Sequence, residues 1–198
     1  MENLVYSDEN GNKVYGEPHK IVGTYQFVFN GKNSLVVIGE KCVFKKVVIQ
    51  VKGDNNEVRI GDGCQVYGKI LTTHSNSKVI IGNRLKCNAA CRFHAAEGRT
   101  ITIGDHCLFS NVRFRTSDSH SIISLETQSR INEAADITIE SKVWIAEDVY
   151  IYKGITVGTG SIVGARSTVT KSLPANSVCV GSPAVAIKQG VTWSDKLI

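Results

Sequence analysis

The sequence predicts an all-β fold, a solenoid of short parallel strands, and three observations predict it. Between residues 139 and 169 an aliphatic residue recurs every six positions without a break, at Ile139, Ile145, Ile151, Val157, Val163 and Val169. Upstream, four segments share the form aliphatic, any, Ile, Gly and end at Gly39, Gly61, Gly82 and Gly104, 22, 21 and 22 residues apart. The apolar content is aliphatic rather than aromatic, with 42% hydrophobic residues but only 7% Phe, Trp and Tyr. A period of six fits neither the 3.6 of a helix nor plain alternation, and it implies short strands separated by regular corners.

Each segment then has a place. Residues 1–35 carry no repeat and are expected to form an N-terminal cap segment. Residues 36–181 are expected to form the β-helix, each coil giving the next an aliphatic floor about 4.8 Å away. Within the hexads, Ile137, Val143, Val149, Ile155, Ser161 and Ser167 precede the periodic residues by two, so two side chains per hexad point inward. The glycine after each repeat Ile is expected at a corner that needs positive φ. Cys42, Cys64 and Cys107 each fall four residues after a repeat Ile, an inward position. With no Cys-x-x-Cys pair they read as small buried hydrophobes rather than a metal or redox site. One interval is anomalous: Ile103 to Ile139 is 36 residues, which predicts an inserted loop over 116–136. That loop is polar, lacks the hexad and contains His120, and long loops on rigid scaffolds are where function concentrates. Residues 182–198 are left as a short C-terminal extension.

Composition narrows the partners. No apolar run approaches the roughly 20 residues that a membrane-spanning helix needs. The first residues lack the basic and apolar regions of a signal peptide, so the expectation is a cytoplasmic protein with reduced thiols. The formal charge is +5, and the stretch from Arg84 to Arg115 holds six basic residues against two acidic ones. Such a patch suits phosphate, nucleic acid or an acidic sugar, or is a solvated face.

Taken together, the Ile-Gly hexads, Ser117-Asp118-Ser119-His120 in the extruded loop, Val143-Trp144-Ile145, Val163-Gly164-Ala165, Val169-Thr170-Lys171 and Gly181-Ser182-Pro183-Ala184 resemble the hexapeptide-repeat acyltransferases over roughly residues 36–190. Within that superfamily the run from Arg115 to Arg130 and the downstream Trp are similar to bacterial capsule O-acetyltransferases, including those acting on polysialic acid. The resemblance implies a left-handed parallel β-helix, a homotrimer, and acetyl-CoA bound between subunits. No metal and no nucleic acid are implied.

Acetyl transfer to a hydroxyl needs a general base, and a histidine titrating near neutrality fits that role. His120 is the candidate, by its position in the loop and by the family motif. Asp118, two residues earlier, either orients the imidazole or forms an Asx turn. Trp144 stands where a small outward residue is expected; it packs on the donor or acceptor, donates its N–H to a developing oxyanion, or serves a subunit contact. The resemblance assigns Trp144, Ala146, Gly164, Ala165, Thr170, Lys171, Gly181, Pro183 and Lys188 to the coenzyme groove, with Arg166 a further phosphate candidate. Ala146 departs from the glycine usual after Trp-Ile. Arg113 and Arg115 lie on one face of a strand entering the loop, and guanidinium groups suit a carboxylated acceptor; coenzyme phosphate or a salt bridge would also use them. The expected activity is acetyl-CoA-dependent O-acetylation of an acidic surface polysaccharide, peripheral to the inner membrane face. The alternative is acetylation of a small sugar or sugar nucleotide. A γ-type carbonic anhydrase is disfavoured because no histidine follows His120.

Overall fold

The structure is a computed structural model that describes residues 3–197. It contains strands and no helix among the described residues. Leu4–Ser7 pairs antiparallel with Lys13–Tyr15, and from there the stacking is parallel through Leu35–Ile38, Glu57–Ile60, Lys78–Ile81, Thr100–Ile103, Ile137–Ile139 and Ile155–Val157. A second sheet of 13 strands supplies the remaining faces of every coil, so the chain is a parallel β-solenoid. It closes on an antiparallel hairpin of Ser177–Gly181 with Ala184–Gln189.

The hexad pattern translates directly into burial. All six periodic residues from Ile139 to Val169 are buried, as are the six that precede them by two. Cys42, Cys64 and Cys107 are buried too, and all six cysteines are free thiols. Phe44, Phe93, Phe109 and Phe114 are buried inside the coils, where Phe93 and Phe114 stack with ring centroids 4.9 Å apart and Phe109 lies 5.4 Å from Phe114. Stacking equivalent positions of successive coils removes both faces of each inward side chain from water, so aliphatic residues make up most of the core.

Two expectations need correction. The glycines after the repeat Ile do not adopt positive φ; that conformation falls two residues later, at Lys41, Gly63, Arg84 and His106. Gly39, Gly61, Gly82 and Gly104 are glycine because the next coil passes too close. A Cβ on Gly104 would lie 2.5 Å from the Ser141 nitrogen and 2.7 Å from the Glu140 carbonyl carbon. The solenoid also begins before residue 36. Lys13–Tyr15 already pairs with Leu35–Ile38, and Lys20–Asn30 pairs with Val43–Lys52. This first coil has no Ile-Gly signature. It is held by side-chain ladders instead: the Ser34 amide donates to Asn12 Oδ1, the Asn56 amide to Ser34 Oγ and the Ser77 amide to Asn56 Oδ1, at 2.7–3.1 Å.

The loop expected over 116–136 leaves the stack after Arg113–Arg115 and rejoins at Ile137–Ile139. Both roots are pinned to the coil. Buried Thr116 accepts a hydrogen bond from the Ala96 amide at 2.8 Å, and Asp136 Oδ1 accepts one from the Thr100 amide at 2.8 Å. Between the roots, Ile122, Ile123, Leu125 and Ile131 are exposed.

Candidate functional site

The strand register gathers the site residues into two groups. One group lines a column on the larger sheet, where Trp144 pairs with Ile162, Ile162 with Val178 and Val178 with Lys188. Trp144 and Lys188 therefore lie about 14 Å apart, three inter-strand spacings of roughly 4.8 Å. Half-buried Ala146 and the turn Gly164, Ala165, Arg166 follow on the same two coils, with Arg166 exposed and in the left-handed region. The hairpin is tied to that turn, because the Gly181 amide donates to Ser167 Oγ at 3.1 Å, and it carries exposed Pro183 at its tip. The result is an apolar strip with an indole at one end and a lysine at the other.

Trp144 is 38% exposed, and its ring centroid is 6.2 Å from that of Trp193. Trp193 belongs to the C-terminal segment and donates its indole N–H to the Lys142 carbonyl at 2.7 Å. Nothing in the spacing of Trp193 signals this contact, since it lies outside the hexads.

The second group sits at the other end of the adjoining face. Arg113 pairs with Arg92 on the preceding coil, and Arg92 with Lys69 on the one before. Three cations thus occupy one column at roughly 4.8 Å spacing. None of these three, nor Arg115, belongs to an ion pair among the described residues. Burial lowers the Lys69 pKa, and Arg92 and Lys52 reinforce the shift. Arg113 lies over the ring of Tyr150, 5.2 Å from its centroid. His94, whose register partner is Arg115, is pushed down to about 4, chiefly by burial and then by Arg115 and Arg92, and its Nε2 lies 3.0 Å from Thr73 Oγ1. The intervals of 23 and 21 residues that align Lys69, Arg92 and Arg113 were present in the sequence, hidden by the variable corners. Thr170 and Lys171 follow Thr168–Val169, the strand that continues this face. They stand apart from the Trp144 strip within one chain.

His120 is exposed at the base of the loop, and among the described residues its ring has no hydrogen-bond partner. Its neighbour Ser119 accepts a hydrogen bond from Arg115 Nη2 at 2.8 Å, which joins the cation column to the loop. Asp118 makes no hydrogen bond to the imidazole. Its carboxylate is paired with Lys153 Nζ and accepts from Asn132 Nδ2 at 2.8 Å. The Lys153 hydrogen bond and charge, with help from Asn132, hold the Asp118 carboxyl below its ordinary pKa. A full cation with a hydrogen bond is a stronger partner for carboxylate than a neutral imidazole. Farther along the loop, Arg130 makes a bidentate pair with Glu97 at 2.6 and 3.1 Å. That pair, with Ser117, lowers the Glu97 pKa to about 2.

The pattern described as bacterial transferase hexapeptide (six repeats) matches residues 136–171. The putative colanic acid biosynthesis acetyltransferase WcaF of Escherichia coli (strain K12) is 46% identical over 91 residues, 46% of this chain and 48% of its own length. The polysialic acid O-acetyltransferase of Escherichia coli O1:K1 / APEC is 38% identical over 138 residues, 69% of this chain and 44% of its own. The chain thus spans about half the length of these curated relatives. Among solved structures, the polySia specific acetyltransferase NeuO superposes with a TM-score of 0.71 at 30% identity, over 86% of this chain and 89% of that one. The polysialic acid O-acetyltransferase OatWY does so with 0.78 at 27% identity, over 95% and 90%.

Proposed function

The chain belongs to the hexapeptide-repeat transferase family, and from that premise we propose that it is an acetyl-CoA-dependent O-acetyltransferase of an acidic surface polysaccharide. The observation that carries the reading is the junction of the unpaired cation column with the His120 loop through Arg115 and Ser119. An anionic polymer lying along Lys69, Arg92 and Arg113 meets a free imidazole where the column ends, and Tyr150 offers it an aromatic platform.

In this reading His120 takes the proton of an acceptor hydroxyl as its oxygen forms a bond to the acetyl carbonyl carbon. The carbon–sulfur bond then breaks, and the proton passes from His120 to the departing thiolate, which restores the neutral imidazole. Trp144 lines the reacting end of the donor strip. Gly164, Ala165 and Arg166 flank its middle, Lys188 meets the phosphate end, and the Gly181 and Pro183 tip meets the adenine. The apolar strip with its terminal cation fits a long donor that ends in phosphate.

Thr170, Lys171 and His120 sit on one corner and Trp144 on another, so a complete site takes one corner from each of two subunits, as in a homotrimer. Exposed Ile122, Ile123, Leu125 and Ile131 support that assembly, since an apolar arm of this kind gains by burial against another copy. The location in this reading is cytoplasmic, peripheral to the inner face of the membrane.

The experiment is release of free thiol from acetyl-CoA across a panel of acidic and neutral polysaccharides, sugars and sugar nucleotides. Activity confined to the acidic polymers supports the reading, and activity confined to neutral or nucleotide acceptors refutes it. His120→Ala is expected to lower kcat by about 10²-fold or more with coenzyme affinity kept. Near-normal turnover removes His120 as the base.

A further inference from the structure

The loop bends back so that one buried side chain holds the main chain at His120 and Ile122 and the side chain of Asp118. Asn132 is only 8% exposed. Its Nδ2 donates to the His120 carbonyl at 2.9 Å and to the Asp118 carboxylate at 2.8 Å, while its Oδ1 accepts from the Ile122 amide at 2.7 Å. Asp118, His120 and Ile122 are spaced two apart, so a single amide grips the segment before, at and after the histidine. Asn132 is itself fixed, because Lys153 Nζ donates to its carbonyl at 2.8 Å and pairs with Asp118. Lys153 comes from the coil, just after Tyr150–Ile151. The chain of contacts therefore runs from scaffold to lysine, to Asn132 and Asp118, and to the His120 main chain, leaving the imidazole free.

We propose that Asn132, braced by Lys153, is the positioning residue that sets His120 against its substrate. The inference rests on the reading of His120 as the base. A general base acts only within hydrogen-bond reach of the proton it takes, and displacement by about 1 Å costs on the order of 10²-fold in rate. A loop of 21 residues between fixed roots does not hold one side chain to that tolerance without internal contacts. Arg130 with Glu97, and Thr116 with Ala96, fasten the loop to the coil; Asn132 alone bonds to the His120 main chain among the described residues. An asparagine suits the role because it donates and accepts at once, and here it serves two acceptors and two donors, the Ile122 amide and Arg130 Nε at 3.3 Å. Aspartate in its place would accept only, facing the Asp118 carboxylate and the His120 carbonyl with lone pairs.

The test is a double-mutant cycle in the thiol-release assay on the full chain. Asn132→Ala and Asn132→Asp are each expected to lower kcat by about 10- to 100-fold with the KM for acetyl-CoA unchanged. Adding either to His120→Ala is expected to cost less than threefold, because a misplaced base and an absent one are alike. Lys153→Met is expected to lose activity in the same way, and Lys153→Arg to regain most of it. A melting temperature for every variant separates loop effects from unfolding of the coil, and if Asn132→Ala loses the fold, the Lys153 pair carries the test alone. Fully additive losses, or full activity in Asn132→Asp and Lys153→Met beside an inactive His120→Ala, would overturn the positioning role. Normal activity in His120→Ala itself would overturn the base assignment instead, which keeps the two failures apart.

Discussion

Replacing Gly104 by alanine tests why the repeat needs glycine. The new Cβ would sit 2.5 Å from the Ser141 nitrogen, 2.7 Å from the Glu140 carbonyl carbon and 2.8 Å from the Ser141 Cα. Contacts between non-bonded heavy atoms are favourable at about 3.5–4.0 Å, so the two coils must part by about 1 Å there. All three obstacles are backbone, so no rotamer relieves them. Parting the coils stretches the bond from the Gly104 amide to the Ile139 carbonyl, now 2.7 Å, and a lost bond of that kind is worth about 1 kcal/mol. Overpacking of a close contact adds about 1–3 kcal/mol, for a cost of about 3 kcal/mol. Gly190 is the control: its φ is +71° and nothing lies within 4 Å, so alanine there meets only the left-handed penalty of about 1 kcal/mol. At about 2–4 °C per kcal/mol for a chain of this size, thermal unfolding at fixed protein concentration should show a drop of roughly 6–12 °C for Gly104→Ala and about 2–4 °C for Gly190→Ala. If Gly104→Ala were no more damaging than Gly190→Ala, the close approach of the next coil would not be what demands glycine, and the steric argument would fall.

Replacing Arg113 and Arg115 together by alanine should raise the KM for an acidic acceptor by about tenfold or more and weaken its salt dependence, with the KM for acetyl-CoA unchanged; a change confined to the coenzyme would reassign that face. His94 gives a pH signature. Its folded pKa of about 4 lies below the 6.5 of the unfolded chain, so the unfolded state binds more protons and stability falls as pH drops from 6.5 through 4. His94→Gln should flatten the melting temperature over that window, and an unchanged slope would show that other groups govern it.

The inward residues, the broken interval and the catalytic candidate were legible in the sequence because they are properties of one coil. Alternation along a strand decides which side chains face the core, so Ile139 to Val169 and the inward cysteines follow from spacing alone. A 36-residue interval in a 22-residue repeat exposes the loop, and His120 is the histidine within it. The rest depends on what lies one coil away or across the loop. Register puts Lys69, Arg92 and Arg113 in one column and Trp144 above Lys188, although corners of unequal length hide that alignment. The first coil carries no periodic signature because polar ladders through Asn12 and Ser34 replace its Ile-Gly motif. Asp118 changed partner because Lys153, 35 residues later, reaches it first. Short-range periodicity carries the kind of fold and the place where the solenoid opens. The return of the loop that lets Asn132 grip His120 has no local signature, because that contact depends on the path of the chain through space.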